Sequence, residues 1–399
     1  MHASTLPYWR LSGFYFFYFA LVGALSPFLS LYLADIGLTA YAIGLVNAVL
    51  MGTKIGAPNI WGWLCDRTGR RLLIISVGAG LATLFFTGLF FWKNLIPILI
   101  VTFLYSFFWN AVLSQFDTVT IQYLGKKSHH YSRIRVWGSI GFIVAVVALG
   151  FLFDHLSIRY LIPIAWVLLL LISLNCLLLK EAPVRVAASS NVSCRFILRQ
   201  PAVIAFFAAA FLLQLSFGAY YTFFSLYLDS YGYTRTSIGL LWALGVAAEV
   251  ALFLVIHRLM PAMGVSYLLF WSLLLTSFRW FITGMFADHL WVMIIAQGIH
   301  ALSFGAAHAA SIELIRQFFA GKNAGQGNAL YSSMTFGVGG AIGAVASGYL
   351  WEISPQWLFI GAGGVLLVAA IVAWLGLCGD SISRFHQSID QSLSTKSRH

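Results

Sequence analysis

The sequence predicts an all-α membrane protein of twelve transmembrane helices, with both termini on the cytoplasmic side. Three observations lead there. Of the 399 residues, 60% are hydrophobic and only 9% charged, against about 25% charged in a soluble domain; so little charge cannot cover a surface facing water. Apolar runs recur along the whole length, several of them long enough to cross ~30 Å of hydrocarbon at about 1.5 Å per residue. Basic residues crowd every second connecting loop, the asymmetry that sets the orientation of membrane proteins.

The twelve spans fall at about 11–34, 40–64, 72–92, 95–123, 134–153, 158–179, 202–228, 236–257, 264–286, 289–315, 326–351 and 356–378. The first has no charge between Arg10 and Asp35, too long an interval for a signal-peptide core, so it counts as a span. The second contains Lys54, the fourth Asp117, the eighth Glu249 and the ninth Arg279; the tenth holds His300, His308 and Glu313. The eleventh is rich in glycine (Gly337, Gly339, Gly340, Gly343 and Gly348), and small residues let helices approach closely. Between the sixth and seventh lies KEAPVRVAASSNVSCRFILRQP, the longest polar interruption before the tail. It divides the chain into a six-helix bundle over 1–180, a cytoplasmic loop over 181–201, a second six-helix bundle over 202–378 and a cytoplasmic tail over 379–399. The pairing of halves rests on hydropathy, since no strong residue-level repeat relates them.

The net charge of +11 is topological. With the termini inside, Arg67, Arg70, Arg71, Lys126, Lys127 and Lys322 face the cytoplasm, and the outer loops hold only Lys93, Arg159 and Arg235. That pattern suits anionic lipid headgroups and gives no reason to expect a nucleic-acid partner. The four cysteines form no disulfide or metal pattern. No nucleophile-and-base motif, metal signature or phosphate loop is present, so the chain reads as a non-enzyme without a cofactor.

The charges inside the spans carry the functional reading. A charge at mid-bilayer costs about 3 kcal/mol and is usually kept for a partner or a wet pathway. Helix rise puts Glu249 about 12 Å from the inner end of its span, Arg279 and His300 about 22 Å, and His308 about 10 Å. An acid, a guanidinium and an imidazole thus lie on three successive helices at reachable depths. We take Glu249, Arg279 and His300 as a proton-coupling group, with Glu249 able to hold Arg279 or a proton. His308 and Glu313 remain open candidates. Lys54, with Arg279, has no obvious carboxylate partner and suits an anionic substrate.

Gly62-Trp-Leu-Cys-Asp66-Arg67-Thr-Gly69-Arg70-Arg71 follows G-x-x-x-D-R-x-G-R-R. It resembles the signature loop of the major facilitator superfamily, at its place between spans two and three. The resemblance implies two rocking six-helix bundles, a midplane substrate site, and a gating role for Asp66, Arg67, Arg70 and Arg71, framed by Gly62 and Gly69. Residues 110–142, NAVLSQFDTVTIQYLGKKSHHYSRIRVWGSIGF, resemble the lactose permease branch and, more closely, the 3-phenylpropionate transporters. By that resemblance Asp117, Arg135 and Phe142 bind substrate. Phe142 stands where lactose permease has a tryptophan. Residues 219–253, 277–284 and 298–310 resemble the same branch and put Glu249, Arg279 and His300 at its coupling positions. Ser303 replaces a second carboxylate, and the branch's acid on span seven and lysine on span eleven have no counterpart. The resemblance implies proton symport of a small aryl-propionate-like acid by a monomer in a bacterial inner membrane, with lipids and protons as partners. Symport of a sugar or nucleoside, or efflux by proton antiport, are the alternatives.

Overall fold

The computed structural model describes residues 6–125, 130–179, 194–319, 321, 323–379, 384–385 and 387–388. Among these residues every regular element is helical. Twelve helices are long and apolar enough to span a membrane: α1 (Tyr8–Asp35), α2 (Ala40–Thr68), α3 (Arg71–Phe90), α4 (Leu95–Leu124), α5 (Tyr131–His155), α6 (Ile158–Leu177), α7 (Pro201–Ser230), α8 (Arg235–Met263), α9 (Val265–Met285), α10 (Leu290–Phe318), α11 (Asn323–Ile353) and α12 (Pro355–Leu377). They match the predicted spans in number and order, with ends moved by a few residues. Most of the expected loop 181–201 and tail 379–399 lies outside the described residues, as do Lys126, Lys127 and Lys322.

Local chemistry sets the helix starts. Thr39, Thr234 and Ser354 cap α2, α8 and α12, each hydroxyl accepting a backbone N–H from the first turn. Proline stands in the first turn of α7 and α12, where its missing N–H costs nothing. Gly69 ends α2 in the left-handed region, at φ 67°. Apart from 3-10 turns at the end of α3 and the start of α6, regular hydrogen bonding is broken at three places among the described residues of the spans. At Thr53–Ile55, α2 tightens to a 3-10 turn. There Asn110 on α4 donates to the Leu50 carbonyl (3.3 Å) and to Thr53 Oγ1 (2.7 Å), while Thr53 Oγ1 also reaches Ser106 Oγ (3.0 Å). Backbone freed at membrane depth needs such internal partners. α10 and α11 widen to π-helical turns at Ala301–Ala306 and Ser332–Gly339.

The first six helices meet the last six chiefly where α2 packs on α11 and α5 on α8. At the end of the molecule opposite the chain termini (the far end) these pairs are sealed in matching ways. A Cβ on Gly44 would lie 2.7 Å from the Ala344 carbonyl oxygen and 3.0 Å from Gly348 Cα; one on Gly239 would collide with the Val146 carbonyl oxygen. One helical turn beyond Gly150, Asp154 accepts from the Arg235 N–H (2.6 Å), the Thr236 N–H (3.0 Å) and the Thr236 hydroxyl (2.5 Å). One turn beyond Gly348, Glu352 accepts from the Tyr41 N–H (3.1 Å). Each carboxylate therefore caps a helix of the other half, where unpaired N–H groups and the helix dipole favour negative charge.

A capping residue is worth about 1 kcal/mol, or roughly fivefold in an equilibrium. Asp154→Ala is expected to shift the population about fivefold toward a parted far end, and Asp154→Ala with Glu352→Ala about thirtyfold, the two sites adding. Spin labels on Lys93→Cys and Asp288→Cys would report this by electron-electron distance measurement. An unchanged distance distribution in the double variant would deny the caps any such role.

Candidate functional site

Two polar clusters lie within the spans. In the first, Asp117 on α4 accepts from the Tyr15 hydroxyl on α1 (2.7 Å) and the Tyr131 hydroxyl on α5 (2.8 Å). Tyr15 is fully buried and also contacts Thr120 Oγ1 (3.1 Å). Arg135 makes no ion pair among the described residues; its guanidinium lies 3.9 Å from the Phe19 ring centre and 5.5 Å from that of Tyr15. It lies within electrostatic reach of both Asp117 and Glu249. One cation of the first half thus acts on an acid in each half.

The second cluster is built on α7, α9 and α10. Arg279 is 1% exposed. It stacks on Tyr220 (4.5 Å) and Trp280 (4.4 Å). One guanidinium nitrogen, Nη1, meets His300 Nδ1 at 2.9 Å, and the other, Nη2, donates to Gln297 Oε1 at 3.1 Å. The Tyr220 hydroxyl donates to the same Oε1 at 3.2 Å. Arginine can only donate, so His300 Nδ1 is the acceptor and the ring hydrogen sits on Nε2. Aromatic rings close the space around: Trp242 lies 4.5 Å from Tyr220, and Phe217 5.3 Å from Trp280.

The predicted residues separate as follows. Arg279 and His300 are brought together. Glu249 is not joined to Arg279: the half-buried acid makes no hydrogen bond or ion pair among the described residues, and its Cγ lies beside Gly305 on α10. Helix rise fixes height but not direction around the helix, which is why a reachable depth did not become a contact. Phe142 is buried, with its ring 6.4 Å from Trp242 across the boundary between halves. Lys54 stands apart at the 3-10 turn of α2, 3.3 Å from Met51 Sδ, between two residues that touch α11. His308 is half-buried; its ring parallels Phe304 at 5.9 Å, and its Nδ1 has no partner. Glu313 is taken by Arg316 (2.6 Å) and Gln317 (2.9 Å).

Where α2 turns into α3, Asp66 pairs with Arg71 at 2.5 Å and Arg71 donates to Gln115 on α4 at 2.8 Å. Arg67 stacks on Trp63 (5.2 Å), and Arg70 is exposed. Gly62 lies beside the Gln115 side chain. This network ties α2, α3 and α4 together. Sequence reading missed Tyr15, Tyr131, Tyr220 and Gln297. Two had a signal: Gln297, three residues before His300, shares that helix face, and Tyr131 opens the Y-x-x-x-R-x-x-G string that holds Arg135.

A model of the MFS_1 like family matches residues 8–361. The maltose permease of Geobacillus stearothermophilus is 27% identical over 352 residues, covering 87% of this chain and 89% of that protein. A protein of Escherichia coli (strain K12) described as "Probable 3-phenylpropionic acid transporter" is 29% identical over 367 residues, covering 90% and 93%. Among solved structures, a single-site mutant of the nucleoside transporter NupG superposes with a TM-score of 0.83 at 17% identity, covering 92% of this chain and 99% of that one. The POT family transporter PepTSo gives 0.73 at 13%, covering 96% and 98%.

Proposed function

The chain belongs to the MFS_1 like family and is a multi-pass membrane transporter of the major facilitator kind; from that premise we propose that it carries a small aryl-bearing organic acid together with protons, by alternating access of two six-helix bundles, 1–180 and 202–378. The observation that carries the substrate class is that Lys54 and Arg279, like Arg135, lie within the spans and join no ion pair among the described residues. A charge kept at that depth at a cost of about 3 kcal/mol is explained by an anion that visits. The aromatic shell around Arg279 suits a planar ring on the same molecule.

Glu249 carries the proton in this scheme. It crosses uncharged when protonated, and Arg135 is the cation that can hold it when it is not. Asp117, held by Tyr15 and Tyr131, is the other acid near Arg135; substrate bound beside Phe142 and Trp242 changes which acid Arg135 serves. The far-end seal supports a state open toward the termini. Asp66, Arg67, Arg70 and Arg71 act at the termini end as the gating loop. Both termini are cytoplasmic, one chain suffices, and bacterial relatives support a bacterial inner membrane. The maltose permease relative favours a second reading, proton symport of a sugar.

Uptake of labelled 3-phenylpropionate into cells expressing the protein is expected to exceed that of empty-vector cells at least severalfold, with alkalinisation outside. Uptake of maltose alone would move the assignment to the second reading, and acidification outside would make it an exporter.

A further inference from the structure

On the reading that the substrate is an organic acid, we infer that Arg279 and Gln297 form its carboxylate subsite, and that Gln297 determines specificity there. Hydrogen-bond accounting leads to it. The Gln297 amide has one orientation: Arg279 Nη2 and the Tyr220 hydroxyl both approach Oε1, and a flipped amide would set donor against donor at Arg279. Its acceptor is therefore used twice, and its Nε2 has no partner. Arg279 Nε has none either. Both residues are essentially sealed, Gln297 at 0% and Arg279 at 1% exposure.

An orphaned buried donor costs about 1–3 kcal/mol, and folded interiors keep few. Neither group can turn to find relief. The guanidinium is held by its contacts with His300 and Gln297 and by the rings of Tyr220 and Trp280. The amide is held by its two donors. The orphans sit on neighbouring side chains joined through one hydrogen bond, and one of them belongs to a cation with no ion-pair partner. A carboxylate offers two oxygens that accept several hydrogen bonds and cancels the charge. An alcohol or a sugar hydroxyl would leave the charge standing. The ligand class is a monocarboxylate on a short arm, its ring reaching the Tyr220–Trp242 faces. Arg279 thereby serves as substrate anchor, with Glu249 left as the proton carrier.

The test is equilibrium binding to the purified full-length protein, by tryptophan fluorescence and thermal stabilisation, with 3-phenylpropionate, its neutral amide 3-phenylpropionamide, and maltose. Wild type is expected to prefer the acid over the amide by about ten- to hundredfold. Gln297→Leu removes the donor and should cost the acid about tenfold while sparing the amide. Gln297→Glu puts a carboxylate against Arg279 and should abolish acid binding while the amide still binds. Acid affinity unchanged in both variants would overturn the subsite and leave organic-acid transport in place. Equal affinity of wild type for acid and amide would overturn it without reference to any variant. Wild type that binds maltose and ignores the acid would overturn the organic-acid reading itself, and the subsite with it.

Discussion

Glu249→Gln is expected to stop substrate-driven proton movement while leaving substrate exchange intact. Glutamine keeps the shape of the side chain beside Gly305 and cannot bind or release a proton. Positioned proton-transfer groups typically contribute two to four orders of magnitude, so the coupled flux should fall about a hundredfold or more. The measurement is proton uptake in proteoliposomes held without a membrane potential and triggered by 3-phenylpropionate, beside counterflow of labelled substrate. Counterflow needs the loaded carrier to change sides but no net proton transfer, so it should persist. A variant that still takes up protons would leave Glu249 as an electrostatic neighbour of Arg135 and send the search for the carrier to Asp117. Loss of counterflow as well would mean that Glu249 binds substrate.

The second large effect concerns the far end. Gly44 and Gly239 stand where backbone of the opposite half comes so near that any Cβ collides with it. Gly44→Leu with Gly239→Leu should therefore strongly disfavour the sealed state. Overpacking costs about 1–3 kcal/mol at each site, and about 5.5 kcal/mol inverts a preference of 99 to 1. The double variant should thus populate mainly the state parted at the far end. Labels at Lys93→Cys and Asp288→Cys would move apart, and net transport would drop to background because one half of the cycle is closed off. Each glycine alone should give a partial shift. Wild-type transport in the double variant would contradict the glycine contacts as a seal.

Much of the architecture was legible in the sequence because membrane spans answer to length and apolarity alone. Depth was legible too, since rise per residue converts position into height. Direction around a helix was not. These spans are apolar on all sides, so no amphipathic stripe says which face turns inward, and Glu249 and Arg279 at compatible depths turn out to have different neighbours. His300, Phe304 and His308 stack nearly parallel along α10, and the π-helical turn at Ala301–Ala306 that they bracket had no signal in the sequence. Of the tyrosines on Asp117, Tyr15 comes from α1, 102 residues away, and no local pattern announces a contact so distant in the chain. One signal was present and slight. Thr39 is followed five residues later by Gly44 inside Ile-Gly-Leu, and Thr234 likewise by Gly239 inside Ile-Gly-Leu. Two such short strings weigh little until the structure sets both at the far end against Gly348 and Gly150.

The two carboxylate caps have a further meaning in terms of symmetry. Each half contributes one helix start and one acid: Ala40 onward with Asp154 in the first, Arg235 onward with Glu352 in the second. What each half offers is what it also requires, the condition met by an isologous dimer interface. A fusion of two copies of the first half would still place an acid over both exchanged helix starts, and the chain holds its far end shut in the manner of two identical subunits.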